Sequence, residues 1–143
     1  MVKQNDGILF VRQSPGHDLA GQWTIPWGKV EPGELPSVAA IRESWEEGGV
    51  NASIVGLLGV QELPPPLEKS FALVYLCEHI GGEPAPQDRE TDAARYLTVA
   101  DLETFTEPFE PWSLWLVKRF LNSECQVITT DATNPLKVAG SFL

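Results

Sequence analysis

The sequence predicts a mixed α/β sandwich in which helices pack on a central sheet. Three observations carry this. Short β-rich runs recur along the chain, and two stretches with helical spacing, Leu35–Glu47 and Pro111–Leu121, interrupt them. The length of 143 residues with 43% hydrophobic composition supplies one core and leaves no room for two. No internal repeat or low-complexity block is visible. Residues 1–122 read as the domain, and residues 123–143 as a tail without an assigned role.

The elements follow in order. Asn5, Asp6 and Gly7 make a hairpin-turn signal, and the apolar run Gly7–Gln13 follows as a strand. Its partner must precede Asn5, where only Met1–Gln4 remain, so the first strand reads as cut short, with an expected start upstream. After the polar loop Ser14–Gly21 comes a second apolar stretch, Gln22–Trp27, and then a Pro/Gly turn over Gly28–Gly33. From Leu35 the pattern is helical: Pro36 suits a first turn, Val38, Ala39, Ile41 and Trp45 recur at helical spacing, and Gly48 and Gly49 stop the helix. Two β-rich runs, Ala52–Leu63 and Ser70–Ile80, are expected to pair as antiparallel neighbours. Pro64, Pro65 and Pro66 between them cannot belong to a central strand. A polar loop over Gly81–Asp92 precedes a strand at Ala94–Val99 and a short helical turn at Asp101–Phe105. Pro111–Leu121 reads as a second amphipathic helix whose stripe of Trp112, Trp115, Leu116 and Phe120 is expected in the core. Val127–Thr130 is a β-branched patch in the tail.

Charge narrows the function classes. Ten Lys and Arg against 20 Asp and Glu give a net charge of -10, which disfavours binding to a nucleic-acid polymer or an anionic membrane. A phosphorylated substrate would need a divalent cation to bridge it to the carboxylates. No apolar run approaches the roughly 20 residues of a membrane span, and the opening MVKQNDG has no signal-peptide core, so a cytoplasmic location is expected. Cys77 and Cys125 lie far apart, outside any redox or zinc spacing, and read as reduced and structural.

The chemistry concentrates on the first helix. Glu46 and Glu47 lie about 300° and 400° around the helix from Glu43, so the three carboxylates share one stripe. Like charges at that spacing destabilise an isolated helix, and one guanidinium, Arg42, does not neutralise three glutamates. A run of acids is ordinarily a solvated face. A hard cation such as Mg²⁺ or Mn²⁺ would complete the balance, bridge to substrate phosphates and stabilise charge as a phosphorus–oxygen bond breaks.

The register decides between these readings. Gly28, Glu34, Arg42, Glu43, Glu46, Glu47, Gly49 and Val50 stand at the spacing of the Nudix box. Seven fixed polar or glycine positions would coincide by chance about once in 10⁸ starting points. The chain therefore resembles the Nudix (MutT-like) hydrolases, strongly over these 23 residues and more loosely over Gly7–Leu121. Two positions depart from the pattern. Ser44 replaces an apolar residue, and Trp27 stands where relatives often have Gly.

The resemblance implies a Nudix α/β/α sandwich with a mixed sheet, and metal-dependent hydrolysis of a pyrophosphate bond in a small nucleoside diphosphate derivative. A nucleoside triphosphate or modified nucleotide is the first expectation; the alternatives are a nucleotide-sugar or dinucleotide pyrophosphatase, or a non-catalytic nucleotide-binding module. It implies Glu43, Glu46, Glu47 and the Gly28 carbonyl as ligands of Mg²⁺ or Mn²⁺. Arg42 orients a glutamate, with Glu34 as its network partner. The general base is open among Glu46 and Glu43 inside the box and Glu90, Glu107 and Glu110 outside it. Arg12 and His17 carry no firm role. Substrate choice is expected in the loops Pro64–Ser70 and Thr104–Pro111. The short first strand and the tail leave edge pairing into a homodimer open.

Overall fold

The computed structural model describes residues 1–65, 70–131, 133–135 and 140–142. Residues 66–69 of the Pro64–Ser70 loop, and residues 132, 136–139 and 143 of the tail, lie outside the described residues. In chain order the elements are β1 (Val2–Gln4), β2 (Gly7–Gln13), β3 (Trp23–Thr24), α1 (Pro36–Gly48), β4 (Val50–Glu62), β5 (Phe71–Gly82), β6 (Thr91–Leu97), α2 (Val99–Thr104), α3 (Pro111–Leu121) and β7 (Ile128–Thr129).

The strands form one mixed sheet. β1 runs antiparallel to β2 and parallel to β5, so the short first strand is paired on both sides and offers no free edge. Met1 extends the anchor: its buried amino group donates to the Tyr75 carbonyl at 2.9 Å. β2 carries β1 and then β3 along one edge and β6 along the other. β4 and β5 form the long antiparallel hairpin that the proline separator implied, and β7 pairs with β4 at Gly56 and Leu57.

Alternation along β2 divides the core. Ile8 and Phe10 join Trp23, Val74, Leu76, Leu97, Leu116 and Val117 on the α3 side, whereas Leu9 joins Val2, Val50, Ala52, Tyr75 and Cys77 on the α1 side. A strand covered on both faces reads as a continuous apolar run, which is why GILFV does not alternate. The architecture is thus the α/β/α sandwich expected from the sequence. No helix among the described residues is long and apolar enough to cross a membrane.

The structure moves several boundaries. Gln22–Trp27 is a strand only at Trp23–Thr24; the Trp23 N–H and carbonyl are taken by Pro108 and Glu110, and Pro26 has no N–H to extend the ladder. The strand expected at Ala94–Val99 runs Thr91–Leu97 instead, because Thr98 and Asp101 form a reciprocal capping box that starts a helix at Val99. The tail is laid on the body: Cys125 and Val127 pack on the core, and the Phe142 ring lies 5.6 Å from that of Tyr75. Both cysteines are free.

The largest difference concerns α1. Its larger apolar side chains Val38 and Trp45, like Leu35 at its N-cap, are about half exposed, while Ser37, Ala39, Glu43, Ser44, Glu47 and Gly48 are buried. Small side chains let the helix sit close to the sheet while two glutamates occupy its inner face. Ser44 fits this face because its hydroxyl donates to the Ala40 carbonyl at 2.7 Å and needs no partner from the sheet. α1 ends at Gly49, whose φ of 72° is left-handed and whose Cα faces the Ala85 carbonyl so closely that any Cβ would collide with it. Gly49→Ala is expected to cost at least about 2 kcal/mol, from the left-handed penalty plus the collision, read as a lowered denaturant midpoint.

Candidate active site

The loop from Pro26 to Glu34 folds back over the inner face of α1 and meets its carboxylates with backbone and side chain alike. The Trp27 N–H donates to Glu47 Oε2 at 2.9 Å. Gly28 follows directly, and any Cβ there would fall on the Glu43 carboxylate, so the motif needs glycine for close approach.

Arg42 organises the rest. Its Nε and Nη2 donate to the two oxygens of Glu34 at 2.9 and 3.0 Å, a bidentate pair, and Nη2 also donates to the Lys29 carbonyl at 3.0 Å. Its Nη1 donates to Glu43 Oε1 at 2.7 Å and to Glu46 Oε2 at 2.8 Å. Glu34 is fixed in turn by the Glu31 N–H at 3.0 Å. A single guanidinium thus binds three of the four box glutamates, and Glu47 stands apart on a backbone N–H.

Electrostatics follow burial. Glu47 is 1% exposed, and desolvation pushes its carboxyl up to about 8, with Glu43, Asp88 and Glu90 adding to the rise and the Trp27 N–H opposing it. Burial also raises Glu43, against the pull of Arg42. Glu34 is held below the usual carboxylate range by Arg42. Arg42 is itself pushed further up by Glu34, Glu43 and Glu46.

One positive charge against four carboxylates is unbalanced, and hard oxygen donors on a buried face are the donor set of a divalent cation. In the chemistry of its donors the set fits such an ion. Among the described residues no three acidic, His or Cys side chains converge at ligating distance, because Arg42 Nη1 lies between Glu43 and Glu46.

The acids outside the box separate into different employments. Glu110 caps α3, accepting from Trp112 N–H at 2.8 Å and Ser113 N–H at 2.6 Å. Glu107 accepts from Arg12 Nη1 at 2.9 Å and Trp23 Nε1 at 3.0 Å, which holds its carboxyl below the usual range. Arg12 also pairs with Asp92 at 2.7 Å. Glu90 differs: its charge reaches both Glu43 and Glu47.

The polar loop Gly81–Asp92, which the sequence marks only through Glu90, also lies against the end of α1. The Gln87 N–H donates to the Glu46 carbonyl at 2.8 Å, the Thr91 hydroxyl to the Glu47 carbonyl at 2.7 Å, and Asp88 adds charge near Glu47. Contacts 44 residues apart, as between Thr91 and Glu47, leave no local signal.

A mixed sheet between helices, with an arginine-bound acidic helix on its inner face, defines a domain of the Nudix class. The family profile described as the NUDIX domain matches residues 1–120, and the chain belongs to that family. A NUDIX hydrolase from Nitrosomonas europaea shares the fold with a TM-score of 0.70 at 19% identity, covering 89% of this chain and 88% of that one. The RNA pyrophosphohydrolase of Roseobacter denitrificans is 38% identical over 74 residues, 52% of this chain and 46% of its own length. The NAD-capped RNA hydrolase NudC of Chromobacterium violaceum is 30% identical over 128 residues, 90% of this chain and 45% of its own. The putative 8-oxo-dGTP diphosphatase of Bacillus subtilis is 30% identical over 108 residues, 76% of this chain and 68% of its own. The chain spans about half the length of the first two of these relatives.

Proposed function

We propose that this domain hydrolyses a pyrophosphate bond in a small nucleoside diphosphate derivative, foremost a nucleoside triphosphate or modified nucleotide, with Mg²⁺ or Mn²⁺ as cofactor. The observation that carries the reading is the inner face of α1, where Glu43 and Glu47 are buried and a single arginine is left to balance the box. Some relatives are named for RNA substrates, but a net charge of -10 repels a polyanion and favours a short substrate whose few phosphates one site can neutralise. The two free cysteines suit a reducing compartment, in line with a cytoplasmic location.

Glu43, Glu46, Glu47 and the Gly28 carbonyl are the groups that would hold the cation. When bound, it would draw the substrate phosphates to the carboxylates and stabilise the charge that grows as the anhydride breaks. Arg42 positions Glu43 and Glu46 through its shared Nη1, and Glu34 fixes the guanidinium for that task. Glu46 and Glu43 are the candidate bases inside the box, and Glu46 is the more accessible of the two. Glu90 is the candidate base outside the box; Glu107 and Glu110 are committed to Arg12, Trp23 and the α3 cap.

A substrate panel tests the reading: nucleoside triphosphates, an oxidised nucleotide, a nucleotide sugar and a dinucleotide, each with Mg²⁺ and product identification. Hydrolysis at the anhydride is expected, lost in excess EDTA and restored by Mg²⁺ or Mn²⁺. Undiminished turnover in EDTA would remove the metal from the reaction. Calorimetric binding without release of phosphate or mononucleotide would leave a binding module in place of an enzyme.

A further inference from the structure

We infer that Trp27 is a specificity residue: its indole is the face on which the nucleobase of the substrate stacks. The inference rests on the function proposed above and adds what the box does not supply, recognition of an aromatic group. Trp27 is 45% exposed although its backbone is among the most constrained at the site. Its N–H is bonded to Glu47, buried Pro26 precedes it, and Gly28 lies against Glu43. The Trp27 backbone is therefore held at the acidic cluster, and its indole projects from that fixed point with about half its surface open.

Exposure alone does not single it out, since Trp45 and Trp115 are about half exposed too. Trp115 is covered by the Arg119 guanidinium at 5.2 Å, and Trp45 lies on the outer face of α1. Trp27 is the one whose own backbone bonds a box carboxylate. Beside it stands His17, perpendicular with centroids 6.3 Å apart, a contact that steadies the ring and leaves it half open to solvent. A base stacked there would have its ribose to span the gap between the indole and the carboxylates beside Gly28. Every base has a π-face, so stacking selects for a nucleoside without choosing among bases. This also accounts for an aromatic side chain where the box pattern often has glycine.

The test compares wild type, Trp27→Ala and Trp27→Phe, titrated with ADP and with inorganic pyrophosphate in Mg²⁺ by calorimetry and indole fluorescence. Trp27→Ala is expected to weaken ADP binding about tenfold or more and to leave pyrophosphate unchanged, with the ADP-induced fluorescence change lost. Trp27→Phe should recover most of the ADP affinity. In turnover, KM for a nucleoside triphosphate rises while kcat holds. Equal ADP affinity in Trp27→Ala, or a parallel loss for pyrophosphate, would overturn the assignment. Hydrolysis and stacking fail separately: ADP binding that depends on Trp27 without turnover of any panel substrate sinks the enzyme alone. Wild type that binds neither ligand sinks both.

Discussion

Glu46→Gln and Glu47→Gln are each expected to lower turnover by about three orders of magnitude or more while the domain keeps its fold. Glutamine preserves shape and one acceptor oxygen, so at position 47 it can still take the Trp27 N–H. What disappears is charge at the place proposed to hold a cation against phosphate. Interactions of that kind supply several kcal/mol in the transition state, and each 1.36 kcal/mol is a factor of ten in rate. Steady-state kinetics with saturating Mg²⁺, beside circular dichroism and a thermal melt, separates lost chemistry from lost structure. Near-normal turnover in the double variant would show that these side chains hold no ion.

The grouping of the box residues was legible because local spacing sets it. Helical geometry alone brings Glu43, Glu46 and Glu47 together and sets Arg42 beside them. The pairing of the two long strands was legible for a similar reason, since three prolines leave a hairpin as the simple solution. What local spacing could not reveal is which face of α1 points inward. Val38, Ala39, Ile41 and Trp45 recur at helical spacing, yet a helix that buries glutamates turns Ala39 and its other small residues to the sheet and leaves Val38 and Trp45 half exposed. The acids of FTEPFEP show the converse limit. They read as candidates for the site, and contacts with Arg12, 95 residues distant, and with Trp23, 84 distant, give Glu107 a structural place instead. In the tail the β-branched patch Val127–Thr130 marked where β7 lies, but not its partner, because β7 draws its pairing from the distant β4.

In the metal-free protein, stability is expected to fall as pH rises from about 5 to about 8. The folded Glu47 carboxyl titrates at about 8, against an ordinary value of 4.5 in the unfolded chain. Between those values the folded state keeps a proton that the unfolded state has released. The number of protons bound is then smaller in the unfolded state, so the free energy of unfolding decreases with pH. The loss is on the order of a few kcal/mol. Burial of Glu43 acts in the same direction. Glu34 and Glu107, whose folded values are depressed, act below about 4.5 and lie outside this window. A divalent cation bound as proposed is expected to reverse the slope, because it would bind the ionised carboxylates of the folded state alone, so the gain in Tm from Mg²⁺ should be larger at pH 8 than at pH 5. Glu47→Gln should flatten the metal-free profile and melt higher than wild type at pH 8 while being far less active. Melts across pH 5–8 in EDTA and in Mg²⁺ read all three effects. A flat wild-type profile in EDTA, with no added stability from Mg²⁺ at pH 8, would mean that burial of Glu47 carries no electrostatic cost for an ion to relieve.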